Sequence, residues 1–517
     1  LQTVTLSVTV KLPARQLWAL PSNSGELSMS QPGENMDLFG ERLMRMVWRK
    51  APADIAERTR RRVTMHLLPF LFFLYILAYL DRVNVSVASL QMVKPVADGG
   101  LGFDDYVIGV GIGLFFWGYW ILEIPSTVSV VRLGARWVFA RVLILWGLCA
   151  SAVGFIGMAG MNKAFGWLPI LPTDWPMLGA PFAWINALRD DPQHQFYFLR
   201  FMLGFFEGGF FPSVIVYLSL WFRPQDRAKA IASFMIAIPL ASALGMPLSG
   251  LLLNVNWLGL HGWRWIFIIE GFLPVAAGIA TLFYLPNRPS DAPWLPAEER
   301  NWLEEQLAVE RESLKAHSHW GWRRHVGMVL VLTFVYFTLN VVAYGLNGFM
   351  PAIIQSQSGL SDTPAAIVAS LPYAMSFLVM LVNGWHSDKT GERPWHVSVP
   401  LTLLGFGVLV VALLNGHGAL QVLVMIFWVG ACLFIYLPPF WAIPTMFLGA
   451  TAAASAIGFI NMIGNLGGSL GPYLVGSAKA KNVSFTEGLL RLAPWPIAGG
   501  VIILIVAFVR RHKRLDN

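Results

Sequence analysis

Stretches of about 20 mostly apolar residues recur along this chain, the length a helix needs to cross the hydrocarbon core of a bilayer. Twelve are legible, near 66–89, 107–128, 138–159, 196–220, 230–254, 264–285, 326–349, 365–384, 397–415, 419–441, 450–475 and 495–510. Composition agrees, with 56% of residues hydrophobic and 13% charged, too few charges for the surface of a soluble protein of 517 residues. The expected fold class is therefore an all-α membrane protein of twelve transmembrane helices. Interior breakers such as Pro239, Gly245 and Pro247 are tolerated in lipid where neighbouring helices satisfy the freed backbone groups. The run Gly458, Gly464, Gly467, Gly468 and Gly471 permits close approach between helices. Two cysteines, Cys149 and Cys432, both inside apolar segments, point to neither a disulfide framework nor a metal site.

The net charge of +8 is spread over segment ends rather than gathered on a nucleic-acid-binding face. Arg58, Arg60, Arg61, Arg62, Arg132, Arg136, Arg223, Arg227, Lys229, Arg323, Arg324, Lys389, Arg393 and the 510–514 cluster all fall on one side of the expected topology. By the positive-inside rule that side is cytoplasmic and holds both termini, which requires an even number of helices. The polar segment 286–325, with the charged run PAEERNWLEEQLAVERE, reads as a cytoplasmic linker carrying a surface helix. It divides a six-helix half, 63–285, from a second, 326–511, leaving 1–62 as a flexible tail and 512–517 as a short one. Duplicated halves of this kind place a substrate site between them, near the midplane. The insertion Met161–His194, rich in Trp and Pro, is either an interfacial lid or a packing loop. Residues 1–28 resemble a vector remnant or an over-extended gene start, since Met29 and Met36 lie just ahead of the first basic stretch.

Inside the first segment, FLFFLYILAYLDRVNVSVASL, Asp81 and Arg82 stand side by side. Each such charge costs about 3 kcal/mol or more at bilayer depth, so the pair marks an ion pathway or else fixes helix packing. Neighbours on a helix point about 100° apart, so the two cannot serve one face; the expectation is that Arg82 faces a central cavity and Asp81 the adjacent helices. A guanidinium fork suits a carboxylate. Glu123, Glu207 and Glu270, with Arg141 and Arg200, are the other charges expected at depth, all before residue 286. After residue 325 the polar groups are neutral, notably Asn340, Asn347, Asn383, Asn461 and Asn465. Arg200 and Glu207 are seven apart and share one helix face. A carboxyl caught between burial and a guanidinium can change protonation during a cycle. Asn461 and Asn465, four apart, also share a face. Glu270 is expected to pair with Arg264.

Eight motifs in order carry a family resemblance: YLDRVNVS (79–86), FFWGYWILEIPS (115–126), RLGAR (132–136), FYFLRFMLGFFEGGFFPSVIVYLSLWF (196–222), GWRWIFIIEGFLP (262–274), LPNRPSDAPWLPAEER (285–300), GWHSDKTGER (384–393) and INMIGNLGGSLGP (460–472). The chain resembles the major facilitator superfamily, and within it the anion:cation symporters of organic acids such as tartrate, galactonate and phthalate. The resemblance implies that Asp81 and Glu207 carry the coupling proton. It places Arg82, Tyr119, Arg200, Asn461 and Asn465 at the substrate. Gating is implied at Gly384, Asp388 and Arg393, with Arg132 and Arg136 in the other half, whose copy lacks the acidic member. Glu123 stands where many sugar-acid members have Gln, and Ser126 with Thr127 replaces a Gly-Gly pair; both lean towards the tartrate and aromatic-acid branches. The implied activity is import of a small organic anion in symport with protons. Na+ is the alternative coupling ion, and an organic-anion or organophosphate exchanger the alternative function. A non-transporting membrane sensor is the third reading. No enzyme motif, cofactor or nucleic-acid partner is expected. The expected setting is the bacterial inner membrane, as a monomer.

Overall fold

A computed structural model describes residues 32–174, 179–315, 325–446, 448, 450–480 and 484–515; among these there are helices and turns but no strand. The segment before Met29 lies outside the described residues. The stretch expected to be a tail is helical from Pro32, and residues up to Glu57 form a unit separate from Arg58–Asn517.

Among the described residues, ten helices are long and apolar enough to cross a membrane: α1 (Ile55–Met92), α2 (Asp105–Leu133), α3 (Ala135–Val153), α4 (Pro192–Ser219), α6 (Gly262–Tyr284), α7 (Val326–Ser358), α8 (Asp362–Thr390), α9 (Arg393–Leu413), α10 (Gly418–Ala442) and α12 (Phe485–Phe508). The two remaining expected positions hold interrupted helices. Before α6, Pro224–Met235 is followed by the shorter apolar α5 (Ala237–Leu252). Before α12, α11a (Ala450–Gly464) and α11b (Gly467–Ala480) meet at a turn through Asn465 and Leu466. The 20-residue length criterion does not register such breaks, because it averages over a whole span.

Small residues set the closest helix contacts. A Cβ on Gly204 of α4 would lie 1.9 Å from the Phe115 carbonyl oxygen of α2, and one on Gly118 would lie 2.1 Å from that of Phe201. At one end of the bundle α2 meets α11b just as tightly. A Cβ on Gly109 would stand 2.5 Å from the Pro472 carbonyl oxygen, and one on Gly476 would stand 2.4 Å from that of Asp105. The same end is tied by Lys94 to Asp362 at 2.7 Å and by the Thr363 hydroxyl donating to the Gly250 carbonyl at 2.7 Å.

The opposite end carries the turns and the segment after α6. Gly134 there takes φ +88°, a left-handed conformation that favours glycine. Asn287 accepts from the Arg136 backbone N–H at 3.0 Å, and Arg136 Nε donates to the Leu285 carbonyl at 2.8 Å. Arg62 pairs with Glu299 at 3.1 Å, and His66 stacks on Trp294. The first part of the expected linker is thus packed against α1 and α3, with Leu295, Leu303 and Leu307 buried. The Met161–His194 insertion forms two short helices, Ala159–Phe165 and Gly179–Ala187. It is held by Asn186 bonded both ways to the Leu171 backbone and by Gln195 donating to Asn162.

Candidate functional site

Three helix faces converge on one interior cavity, and each face is a stripe in the sequence. On α1, Tyr75, Tyr79 and Arg82 follow at spacings of four and three, so they line one side. On α7, Tyr336, Asn340 and Tyr344 repeat every four residues and face them. Asn461 of α11a and Asn465 just beyond it add two carboxamides, Tyr119 of α2 and Trp441 of α10 complete the aromatic walls, and the free space is about 30 Å³. That is room for about two waters, so a larger guest enters only when these side chains move.

Arg82 is the cation of this cavity. Its Nε and Nη2 both donate to Glu207 Oε1, at 3.1 and 2.5 Å, and Nη1 donates to the Tyr344 hydroxyl at 2.9 Å. The guanidinium also lies over the rings of Tyr79 and Tyr119, 4.8 and 5.4 Å from their centroids. It therefore joins the two halves of the chain, since Glu207 belongs to α4 and Tyr344 to α7. Glu207 is fully buried, and its Oε2 has no hydrogen-bond partner. α4 breaks immediately after it: Gly208 leaves the helix, and Gly209 has φ +82°. The break is pinned to α2 by the Ser126 hydroxyl, which donates to the Gly208 carbonyl at 2.7 Å.

Asp81 points away from the cavity, as the angular argument requires. It is 1% exposed and accepts from Trp146 Nε1 of α3 and from Asn84 Nδ2, the latter at 3.1 Å. Arg200 is likewise buried off the cavity wall. Its Nε reaches the Gly111 carbonyl at 3.4 Å, its guanidinium sits over Phe115, and Nη1 has no partner. Sharing a helix with Glu207 thus does not place Arg200 beside the guest space. The expected pairing of Glu270 with Arg264 does not occur. Glu270 instead accepts from the Ser249 hydroxyl at 2.6 Å, and Arg264 donates to the Gly154 and Ile156 carbonyls at 2.9 Å each. The long Arg264 side chain reaches open carbonyls at the end of α3 more readily than a carboxyl two turns along its own helix.

Among the gating residues, Arg393 pairs with Asp388 at 2.8 Å. Gly384, whose missing side chain would permit a close helix contact, makes none in this conformation, since a Cβ there would meet only Pro438, at 3.9 Å. The Arg136 side chain finds the Leu285 carbonyl where the complete motif has an acid, while Arg132 ends α2 exposed.

The tyrosines of α1 and α7 and Trp146 were not singled out by the sequence reading. The first two sets were detectable, because both stripes carry the helical period in phase with Arg82 or Asn340. Trp146 gave no such signal.

Comparison with known proteins accords with this architecture. Residues 71–472 match the Major Facilitator Superfamily. A protein of Agrobacterium vitis named "Putative tartrate transporter" is 36% identical over 456 residues, 88% of this chain and 92% of that one. The "Quinolone resistance transporter" of Acinetobacter baumannii is 32% identical over 470 residues, 89% of this chain and 98% of that one. A crystal structure of a D-xylose-proton symporter superposes with a TM-score of 0.61 at 14% identity, covering 85% of this chain and 97% of that one.

Proposed function

The chain belongs to the Major Facilitator Superfamily, and from that premise we propose that this multi-pass membrane transporter imports a small organic anion together with a proton. The observation that carries the reading is the position of Arg82. A single guanidinium on the cavity wall, bonded to an otherwise unpartnered buried carboxyl, is a site an anionic ligand can take over. A ligand carboxylate that occupies the fork leaves Glu207 without its counter-charge in a low-dielectric interior. An isolated buried carboxylate is costly and is relieved by protonation. One proton therefore enters with one ligand carboxylate, and the cavity keeps its net charge. That balance is the physical content of symport.

The tartrate-transporter relative supports a hydroxy-dicarboxylate among the guests, while Tyr119, Asn461 and Asn465 supply neutral hydrogen bonds around it. Asp81, held by Trp146 behind Arg82, serves as the second proton acceptor. Arg200 sets the field of both carboxyls from its buried position without touching the guest. Two six-helix halves, 63–285 and 326–511, rock about the cavity with both termini in the cytoplasm of a bacterial inner-membrane protein. In this arrangement the Lys94–Asp362 end is periplasmic and closed, and the Asp388–Arg393 and Arg132–Arg136 turns gate the other face. The test is uptake into proteoliposomes of tartrate, aldonates and aromatic carboxylates, with and without an imposed pH gradient, and with a quinolone as a further arm. Anion uptake that follows the gradient supports the reading. Anion uptake indifferent to it, or quinolone movement alone, overturns it.

A further inference from the structure

Glu123 lies outside the cavity wall, yet it controls a residue on it. It is 2% exposed on α2, one turn beyond Tyr119. Its Oε1 accepts from Asn461 Nδ2 at 2.5 Å, and its Oε2 is buried without a partner. Asn461 belongs to α11a and lines the cavity. This link joins the two halves about 15 Å along α2 from Gly113, a distance of ten residues at ~1.5 Å each. Gly113 still packs on the backbone of Ser469, 3.1 Å from where its Cβ would stand. Past that seam the link is made by side chains, and the turn between α11a and α11b separates Asn461 from the fixed part.

A carboxamide has a donor end and an acceptor end, and its neighbour decides which way it turns. An ionised Glu123 can only accept. Asn461 must therefore give it Nδ2, and Oδ1 is kept for the cavity. We propose that Glu123 is a specificity-determining residue: by holding Asn461 in this orientation, it makes the cavity wall read a hydroxyl donor on the anion, selecting hydroxy-carboxylates over keto-carboxylates, whose oxygen can only accept. This rests on the organic-anion reading above and narrows its substrate class. A site built to accept a hydroxyl rejects an analogue that lacks it, because the wall oxygen is then left unpaired.

The Gln substitution isolates this role because it preserves size. A Gln at 123 that kept the present bond would bury an amide NH2 where Oε2 now lies, with no acceptor for it. Turned over, the same Gln donates to Asn461 Oδ1 and leaves only an oxygen unpartnered, so Asn461 rotates and shows its NH2 to the cavity.

The experiment measures proteoliposome uptake of tartrate, malate and oxaloacetate by the wild type, Glu123→Gln and Asn461→Ala, scoring the malate-to-oxaloacetate ratio. The wild type is expected to prefer the hydroxylated anion by tenfold or more. Glu123→Gln is expected to lower that ratio at least fivefold, and Asn461→Ala to bring it near unity. A Glu123→Gln ratio within twofold of wild type overturns the inference, as does a wild type that takes malate and oxaloacetate equally. If the wild type moves none of these anions, nor the wider panel, the organic-anion reading itself fails. Should Glu123→Gln not fold, Glu123→Asp serves in its place. It keeps an acceptor-only group and is expected to retain the preference; loss of preference in that folded variant counts against the orientation argument.

Discussion

Replacing Glu207 with Gln keeps the side chain's shape and removes the charge that competes with an anion for Arg82. Arg82 Nε and Nη2 both donate to Glu207 Oε1, at 3.1 and 2.5 Å. Hydrogen bonds to a charged group contribute about 1.5–3 kcal/mol and neutral ones about 0.5–1.5 kcal/mol. Two bonds weakened by about 1 kcal/mol each make the guanidinium easier to capture by about 2 kcal/mol, roughly 30-fold in affinity. The gain is confined to pH values at which wild-type Glu207 is ionised. Where binding requires a proton on Glu207, wild-type affinity for the anion falls as pH rises, approaching tenfold per unit for one linked proton. The variant has no such proton to take up and gives a flat profile. Titration calorimetry of tartrate against purified protein, from about pH 5.5 to about pH 8.5, stays above the range where the ligand carboxyls titrate. The two curves should meet at the acid end and diverge towards the alkaline end. Reconstituted Glu207→Gln should still exchange labelled for unlabelled anion while losing accumulation driven by a pH gradient. A variant whose affinity falls with pH as steeply as the wild type refutes the exchange of partners at Arg82. So does one that binds more weakly than the wild type at the alkaline end.

Arg82→Lys keeps the charge but cannot span Glu207 and Tyr344 together. Losing about two charge-assisted bonds to the anion, at ~1.5–3 kcal/mol each, should weaken binding by at least 100-fold, read by the same calorimetry. Trp146→Phe removes the indole N–H that Asp81 accepts from. It should lower stability in detergent by about 1–3 kcal/mol, seen as a lower midpoint of thermal unfolding, with Trp146→His as the comparison that retains a donor. Gly204→Ala should abolish folded protein in size-exclusion chromatography, because the added Cβ would stand 1.9 Å from the Phe115 carbonyl oxygen. Gly384→Ala should leave the unfolding midpoint within about 2 °C of wild type, as expected for a change well under 1 kcal/mol, since the nearest atom is 3.9 Å from the new Cβ. Transport lost in that stable variant would assign the close contact at Gly384 to another conformation of the cycle.

Much of the architecture was legible because membrane insertion is a property of local sequence. Apolar length alone gave the positions of the helices, and α2, α6 and α12 lie within a few residues of the expected stretches except for an earlier start of α12. The interruptions in α4 and between α11a and α11b were not legible, because glycines such as Gly208, Gly209 and Gly467 serve close helix contacts in a membrane span as readily as they break it. The partition of Asp81 from Arg82 followed from 100° per residue and needed no tertiary information. Partner choice did. The sequence reading paired Glu270 with Arg264, whereas the fold supplied Ser249 to one and backbone carbonyls to the other.

The sequence by itself determined that this chain is a helical membrane protein, with the charges expected at membrane depth all before residue 286. It also set which residues share a face: Tyr75, Tyr79 and Arg82 on one helix, Tyr336, Asn340 and Tyr344 on another. Only the tertiary structure decided that Arg82 meets Glu207 and Tyr344, that Asp81 meets Trp146, and that Glu123 meets Asn461 across 338 positions of chain. The reason lies in the solvent. Lipid is as apolar as a protein core, so hydropathy marks which segments enter the bilayer but not which helix faces touch. Those pairings are set by small-residue packing and by polar groups that find one another only once the helices are side by side.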